Sequence, residues 1–317
     1  MSNAGYQPAG PRASSPPAGK LPANRPPGWR RSATSWLLAA RPKTLSASVV
    51  PVLVGTALAI PRIRWTIFAC ALFGAVFIQI GTNLVNDALD YQRGADTSER
   101  LGPLRVTQAG LLSSNSVLAG AYVCFGLAAL FGIPLMIRGG WPIAIIGIAS
   151  ILAAYAYTGG PYPLAYHGMG ELFVLVFFGF IAVAGSYYVQ RLAVDPAAGI
   201  AGLAVGCLAV VLLAINNLRD VAADRASEKH TLAARFGERF AVAEIAVCAT
   251  LPFLIAVAIA GMRSNWLLLI VLIAFPLAIA LVVRVRLSRG AELNRCLAMA
   301  GALQWAFGIL FVMGCLA

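Results

Sequence analysis

The stretch TIFACALFGAVFIQIGTNLVNDALDY, residues 66–91, is apolar through most of its length and ends in amides and carboxylates. A run of about 20 apolar residues is long enough for a helix to cross the roughly 30 Å hydrocarbon core of a bilayer. On such a helix Asn83, Asn86 and Asp90 share one face, because residues three or four apart are neighbours. The stretch therefore predicts a membrane-spanning helix that carries a stack of oxygen-bearing side chains at one end.

The whole chain has the composition of a membrane protein. Of its 317 residues, 60% are hydrophobic and 11% are charged, and the mean hydropathy is +0.80. Soluble domains carry roughly 25% charged residues, so a soluble fold of this composition would expose large apolar patches. These values exclude a secreted disulfide scaffold, a disordered regulator and a soluble nucleotide enzyme. The six cysteines lie in apolar stretches and form no CxxC pair, which argues against a zinc site or a disulfide framework.

Nine apolar segments are long enough to span, or nearly span, the bilayer, and they predict an all-α polytopic membrane protein. They lie at 44–61, 66–91, 115–137, 141–157, 169–190, 197–219, 240–260, 265–283 and 295–316. Residues 1–35 are predicted to form a disordered tail, because the first 28 residues hold seven prolines and no apolar run. Tryptophans beside basic residues from Trp29 to Lys43 also favour a short helix in the membrane interface.

Basic residues are divided unevenly between the two sides of the predicted bundle. With nine spans, the tail and the loops after every second span carry 19 of the 24 Lys and Arg. Cytoplasmic loops carry such an excess, so we expect the N-terminus and the two long polar loops, 92–114 and 220–239, on the cytoplasmic side of the cell membrane. The net charge of +12 is then explained by basic residues that orient the loops and contact the lipid bilayer or a phosphorylated substrate. No nucleic acid is expected as a partner.

A second polar cluster repeats the pattern of the first. Residues 216–229 read NNLRDVAADRASEK and begin where another predicted span ends. With Glu238 just beyond, the two clusters hold eight of the twelve carboxylates in the chain. Carboxylates without His or Cys favour Mg²⁺ over Zn²⁺, and Mg²⁺ usually combines one or two carboxylates with water and substrate phosphates. Two such clusters, with Arg105 and Lys229 near them, predict a site for a diphosphate held by metal ions.

These segments resemble the UbiA-type intramembrane prenyltransferases over residues 36–317. Asn86-Asp-Ala-Leu-Asp90 resembles the NDxxD-type motif of that family, and Asp220-Val-Ala-Ala-Asp224 resembles its DxxxD motif. The strings RPKTL at 41–45, GPLRVTQAG at 102–110, YTGGP at 157–161 and NNLRD at 216–220 are similar to the branch that prenylates 1,4-dihydroxy-2-naphthoate in menaquinone synthesis. Ala88 and Tyr162 depart from the residues usual in that branch.

The resemblance implies nine transmembrane helices around an apolar chamber, with both aspartate motifs at its mouth. It implies Mg²⁺-dependent transfer of a polyprenyl group from isoprenyl diphosphate to 1,4-dihydroxy-2-naphthoate, with loss of CO₂, giving a demethylmenaquinone. Asp90, Asp220 and Asp224 would be the catalytic carboxylates. The resemblance further implies Mg²⁺ ligands at Asn86, Asp90, Asp220 and Asp224, with Asp87 and Asp96 as secondary ligands; diphosphate contacts at Asn83, Arg93, Arg105, Asn217 and Lys229; and acceptor contacts at Arg41, Lys43, Gln108 and Tyr157.

Two alternatives stay open from the residues. The acceptor of the prenyl group could be 4-hydroxybenzoate or homogentisate. Carboxylates inside a membrane also suit an ion-coupled transporter, although here the acids gather at one face of the bilayer, whereas a transporter needs access from both sides. Of the remaining polar residues, His167 and His230 are expected to be bystanders, and Glu171 a favourable charge at a helix N-terminus.

Overall fold

The computed structural model describes residues 28–94 and 101–317. Every regular element within these ranges is helical, which confirms the all-α class. The α-helices are α1 (Gly28–Ala40), α2 (Ser46–Ala57), α3 (Trp65–Gln92), α4 (Ser114–Gly139), α5 (Trp141–Ala156), α6 (Gly170–Val174), α7 (Ala182–Arg191), α8 (Pro196–Arg219), α9 (Val221–Ala226), α10 (Leu232–Phe236), α11 (Glu238–Arg263), α12 (Phe275–Leu287) and α13 (Leu293–Leu316). A π-helical segment, Leu175–Ile181, joins α6 to α7, and a 3₁₀ segment, Trp266–Ala274, leads into α12.

The described part of the chain contains seven helices that are long and apolar enough to cross a membrane. A bent pair, Ala33–Thr44 with Ser46–Ala57, makes eight if it is taken as one span, with an angle of 52° between its halves. The chain is therefore a multi-pass membrane protein, but the predicted count of nine is wrong. The difference lies in α5, because its 16 residues reach only about 24 Å at 1.5 Å per residue.

The N-terminal boundary also differs from the prediction. Helix α1 begins at Gly28, so the predicted end of the tail at residue 35 falls inside a helix. Helix α1 covers the stretch from Trp29 onward in which a short helix is predicted, and its position in the membrane interface stays a prediction. The rest of the predicted tail, residues 1–27, lies outside the described residues.

One end of the bundle gathers both polar loops. Tyr166, in the loop after α5, connects the two aspartate motifs. Its hydroxyl donates to Asp90 of the first motif, and its carbonyl accepts from the backbone N–H of His230, which follows the second motif. Asn294, at the start of α13, donates to the carbonyl of Leu101. We call this the polar end. The loops that carry the two motifs therefore lie on one face of the bundle, as the sequence predicts.

The opposite end is closed by a separate set of contacts. The side chain of Gln190 at the end of α7 accepts from the backbone of Arg64 and donates back to its carbonyl, at 2.7 and 3.3 Å. Asp195 caps the N-terminus of α8 and forms an ion pair with Arg263 at the end of α11. These contacts tie distant helices together and leave the polar loops at the other end.

Helix α8 is the centre of the bundle. Of its most apolar 18-residue window 78% is buried, against 22% to 44% for the other spanning helices. Small residues permit this burial, because Gly179 in the π-helical segment packs directly on Gly202 and Gly206 of α8. A methyl group on Gly179 would lie 2.5 Å from the carbonyl oxygen of Gly202. Small residues at helix contacts are the usual means by which membrane helices approach closely.

Apolar side chains form two separate cores. The larger one surrounds α8 and includes residues of α2, α11, α12 and α13, whereas the smaller one joins α3 to α4 around Val85 and Phe125. A cavity lies between them, with lining residues from α2 through α8. The polar ends of α3 and α8 meet at this cavity and position the candidate site.

Candidate active site

A chamber of about 480 Å³ occupies the space between the two cores. Most of its wall is aliphatic and aromatic, including Phe173, Phe177 and Phe178 beside the π-helical segment. Toward the polar end the wall changes to Arg41, Thr44, Asn83, Asn86, Tyr157 and Asn216. The chamber is thus an apolar pocket whose polar groups are concentrated at one end, as the resemblance implies.

The first motif divides into residues that face the chamber and residues that hold the structure together. Asn86 lines the chamber, and its side-chain oxygen accepts from the hydroxyl of Thr158. Asn83 also reaches the chamber wall, but its amide donates to the carbonyl of Ala40 (3.0 Å) and the hydroxyl of Thr44 (3.3 Å). Asn83 therefore fixes the bend after α1, and its contact with a diphosphate stays a prediction.

Asp87 anchors the loop after α3. Its two carboxylate oxygens accept from the backbone N–H groups of Val106 (3.2 Å) and Thr107 (3.0 Å), and the Thr107 hydroxyl also donates to it. The side chain is 1% exposed. Because a backbone donor contacts each oxygen, the contacts give Asp87 a structural role, and its place as a secondary metal ligand stays a prediction.

Asp90 lies one helical turn beyond Asn86 and is held by two side chains. One oxygen pairs with the guanidinium of Arg105 at 2.9 Å, and the other accepts from the Tyr166 hydroxyl at 3.0 Å. Arg105 also donates to the carbonyl of Asn86 at 2.6 Å. The structure thus brings predicted ligands and a predicted diphosphate contact together at the mouth of the chamber.

Tyr166 connects the two motifs, although it belongs to neither and is not predicted as a site residue. The guanidinium carbon of Arg93 lies 5.3 Å from the centre of its ring, and the ammonium nitrogen of Lys229 lies 5.5 Å from it. Burial and the negative charge of Asp90 raise the pKa of the Tyr166 hydroxyl above its ordinary value. A lone tyrosine in a loop offers no pattern in sequence, so only the fold shows that it organises two cations and one carboxylate.

The second motif begins at the end of α8. Asn216 lines the chamber, whereas the amide of Asn217 donates to Glu171 at 2.7 Å. The predicted diphosphate contact at Asn217 is therefore engaged elsewhere, and Asn216 takes the chamber-facing position. The sequence spacing indicates Asn216 as the chamber-facing residue, because Asn216 and Asp220 are four residues apart and share a helical face.

The two carboxylates of the second motif differ in their surroundings. Asp220 forms a bidentate pair with Arg219, at 2.8 and 2.6 Å. Asp224 is buried and accepts from the Thr231 hydroxyl at 3.2 Å. Burial is the main cause that raises the pKa of Asp224 to about 6, and the charge of Lys229 partly offsets it. Asp220 and Asp90 also contribute to raising it, so negative charge is concentrated where the two motifs meet.

The four predicted acceptor residues occupy different places. Arg41 and Tyr157 line the polar part of the chamber. Lys43 is exposed, and Gln108 follows the anchored Thr107 without reaching the chamber wall. Asp96 lies outside the described residues.

The donor set of the site fits a hard cation. Asn86, Asp90, Asp220 and Asp224 all offer oxygen atoms. Within the described residues no group of three or more His, Cys, Asp or Glu is close enough to enclose a metal by itself. An ion held by one or two carboxylates that completes its shell with water and phosphate, the usual habit of Mg²⁺, fits these residues.

Comparison with known proteins agrees with this geometry. The model of the UbiA prenyltransferase family matches residues 48–308. A 1,4-dihydroxy-2-naphthoate octaprenyltransferase of Mycobacterium tuberculosis is 38% identical over 299 residues, which cover 88% of this chain and 99% of the relative. An enzyme of the same name from Escherichia coli is 39% identical over 212 residues, 64% of this chain and 69% of the relative.

A solved structure shares the fold. The UbiA homolog from Archaeoglobus fulgidus bound to DMAPP and Mg²⁺ superimposes with a TM-score of 0.62 at 14% identity, covering 88% of this chain and 99% of that chain. The family model, the relatives and the fold all agree with the motifs at the mouth of the chamber. This chain belongs to the UbiA prenyltransferase family.

Proposed function

We propose that this protein transfers a polyprenyl group from isoprenyl diphosphate to 1,4-dihydroxy-2-naphthoate, with loss of CO₂, giving a demethylmenaquinone. The observation that carries the proposal is the apolar chamber that is lined at its polar part by the amides Asn86 of α3 and Asn216 of α8, with the carboxylates of both motifs in the adjoining turns. The names of the relatives from M. tuberculosis and E. coli support the choice of acceptor over 4-hydroxybenzoate or homogentisate. Family membership and the concentration of the motifs at one end argue against an ion-coupled transporter.

The polar end suits a diphosphate. Arg93 and Lys229 lie near the Tyr166 ring, and Arg105 pairs with Asp90 beside the chamber. These cations neutralise a departing diphosphate, whose negative charge grows as the allylic C–O bond breaks. Asn86, Asp90, Asp220 and Asp224 would hold Mg²⁺, which adds positive charge at the same leaving group.

The chamber suits the rest of the substrate. Its wall of aliphatic and aromatic side chains accommodates the isoprenyl tail and keeps water from the allylic cation. Arg41 and Tyr157, at the polar part of the wall, are placed to contact the carboxylate and hydroxyl groups of the aromatic acceptor. The electron-rich ring then captures the cation at the carbon that bears the carboxylate.

We further propose that the protein lies in the cytoplasmic membrane with its polar end toward the cytoplasm. The excess of Lys and Arg in the tail and in the loops of that end supports this orientation. Both substrates would then enter from the cytoplasmic side or from the bilayer itself.

A direct assay tests the function. Purified protein receives a polyprenyl diphosphate, Mg²⁺ and one of the three aromatic acids, and released diphosphate and CO₂ are measured together. We expect equal release of both with 1,4-dihydroxy-2-naphthoate and no turnover after Mg²⁺ is chelated. Prenylation of 4-hydroxybenzoate or homogentisate, with none of the naphthoate, would show that the acceptor is wrong while the donor chemistry stands.

A further inference from the structure

Gln79 of α3 is a polar side chain in the chamber wall that the proposed reaction has not used. It is 7% exposed, and within the described ranges its amide oxygen has no hydrogen-bond partner. Burying an amide without a partner costs free energy, because the group loses its hydrogen bonds to water. A buried polar atom without a partner is rare in folded proteins and needs a specific explanation. A ligand that completes the hydrogen bonds of the amide is such an explanation.

The position of Gln79 shows that its side chain belongs to the chamber. It lies in the middle of the face that α3 presents to the cavity, because residues at helical spacing on both sides of it in the sequence also line the wall. These residues are Gly74, Ala75, Ile78, Thr82, Asn83 and Asn86. Gln79 precedes Asn86 by seven residues, so it lies about 10 Å deeper along the helix at 1.5 Å per residue. The amide is therefore well inside the apolar part of the chamber.

The polar neighbours of Gln79 on the same face are engaged elsewhere. The amide of Asn83 holds the bend after α1, and the side-chain oxygen of Asn86 accepts from Thr158. The hydroxyl of Thr82 donates to a carbonyl of its own helix. Of the three chamber-facing amides of α3, Gln79 is thus the one whose oxygen no described residue satisfies.

The prenyl donor cannot satisfy this amide either. Its tail is a hydrocarbon, and its diphosphate belongs with the cations at the polar end. The part of the wall that α4 supplies is apolar throughout, from Ala128 and Ala129 to Leu135 and Met136. Of the two substrates, only the aromatic acceptor brings hydroxyl groups into the chamber. A hydroxyl suits an amide because it donates to the amide oxygen and accepts from the amide N–H.

We propose that Gln79 binds the second hydroxyl of 1,4-dihydroxy-2-naphthoate, the one remote from the carboxylate, and so makes the site specific for a hydroquinone acid. This inference rests on the proposed function. With the carboxylate at Arg41 and Tyr157, the first hydroxyl stays in the polar part of the chamber. The second hydroxyl lies across the ring and points deeper, toward Gln79. Its hydrogen bond orients the ring so that the carbon bearing the carboxylate stays near the departing diphosphate.

Three naphthoic acids separate the contributions of the two hydroxyls: 1,4-dihydroxy-2-naphthoate, 1-hydroxy-2-naphthoate and 4-hydroxy-2-naphthoate. Their dissociation constants are measured with purified protein, Mg²⁺ and an unreactive prenyl thiodiphosphate, so that binding is observed without turnover. We expect the wild type to bind the dihydroxy acid about 10-fold more tightly than the 1-hydroxy acid. That ratio corresponds to about 1.4 kcal/mol, which is within the range for one hydrogen bond.

The variant Gln79→Met removes the amide and keeps an unbranched side chain of similar length. The matched control is Gln304→Met, because Gln304 of α13 is also buried without a partner but is not among the described residues of the chamber wall. Gln79→Met should bind the dihydroxy and 4-hydroxy acids about 10-fold more weakly than the wild type does. Its affinity for the 1-hydroxy acid and its KM for the prenyl diphosphate should not change. Gln304→Met should keep the wild-type preference among the three acids.

The pattern across the acids distinguishes a direct contact from a general loss of packing. An equal loss for all three acids in Gln79→Met, a loss confined to the 1-hydroxy acid, or no loss at all would overturn the inference. If Gln79→Met does not fold, the same pattern must appear in Gln79→Leu. Equal affinity of the wild type for the dihydroxy and 1-hydroxy acids overturns the inference without any variant. Failure of the wild type to prenylate the naphthoate would instead reject the proposed function.

Discussion

Asp87 and Asp90 lie three residues apart on α3 and make different kinds of contact. Asp87 binds the backbone of the following loop, whereas Asp90 binds the side chains of Arg105 and Tyr166 at the chamber mouth. The loop held by Asp87 carries Arg105, so the structural aspartate positions a partner of the proposed functional one. Neighbouring carboxylates of one motif therefore make separate contacts, Asp87 with a backbone loop and Asp90 with side chains of the proposed site.

This division predicts opposite phenotypes for two substitutions. Asp87→Ala should lower the free energy of unfolding by on the order of 3 kcal/mol, because it leaves buried backbone donors without an acceptor. Asp220→Asn, which keeps the shape of the side chain and an acceptor oxygen for Arg219, should lower the melting temperature less than Asp87→Ala and abolish Mg²⁺-dependent turnover. Thermal unfolding in detergent and the diphosphate-release assay measure the two effects. A fully stable Asp87→Ala protein would contradict the anchoring role.

Tyr166 gives a prediction for the donor side of the site. Tyr166→Phe keeps the ring near Arg93 and Lys229 but removes the hydrogen bond to Asp90. Hydrogen bonds to charged groups contribute about 1.5–3 kcal/mol, so kcat/KM for the prenyl diphosphate should fall by roughly 10-fold or more. The control is Tyr162→Phe, since Tyr162 is exposed and stacks on His167. Equal activity of the two variants would show that the Tyr166 hydroxyl is not needed.

At the scale of elements, the bundle depends on close contact between α8 and the π-helical segment Leu175–Ile181. Glycines on both sides bring the two backbones together, and the same segment supplies Phe177 and Phe178 to the chamber wall. Packing of this contact therefore sets the width of the chamber as well as the stability of the bundle. π-helical turns are frequent at functional sites.

A methyl group at this contact should be destabilising. Gly179→Ala would place a carbon 2.5 Å from the carbonyl oxygen of Gly202, and overpacking of this kind costs about 1–3 kcal/mol. Gly126→Ala is the control, because it lies in α4 with open space around the added carbon. Melting temperatures of the two purified variants should differ, with only Gly179→Ala below the wild type. The same melting temperature for both would mean that the helices separate at little cost.

On the scale of the whole molecule, the loops lie at two ends of the bundle, and the loops at each end contact one another or the neighbouring helix ends. The loops after α3, α5 and α8 touch one another at the polar end, and those after α2, α7 and α11 close the opposite end. This arrangement allows both motifs to serve one chamber. It also means that the protein has two possible orientations, with the polar end facing either the cytoplasm or the outside.

Labelling of introduced cysteines tests that orientation. In a background without the six native cysteines, Asn115→Cys and Ser227→Cys, both at the polar end, should react with a membrane-impermeant reagent only from the cytoplasmic side. Ser264→Cys, at the opposite end, should react only from outside. Labelling of residues 115 and 227 from different sides would contradict a shared site, and labelling of both from outside would reverse the proposed orientation.

The sequence by itself determined the class of the protein and the residues that are proposed to carry its chemistry. Apolar runs of spanning length and a low content of charge require a helical membrane protein, because backbone polar groups in lipid must be satisfied within each helix. The paired motifs with Asp90, Asp220 and Asp224 pointed to the family, and the strings around Arg105 and Tyr157 pointed to the branch within it. All of these are local patterns, which a linear sequence contains in full.

The tertiary structure decided which residues of each motif face the chamber. Whether Asn216 or Asn217 reaches it depends on Glu171, 46 residues away from Asn217, and the role of Asp87 depends on the backbone of a distant loop. Tyr166 and Glu171 belong to no motif, and only the fold places Tyr166 against Asp90 and Glu171 against Asn217. Side-chain direction and burial are set by neighbours on other helices, so periodicity along one helix could not predict them.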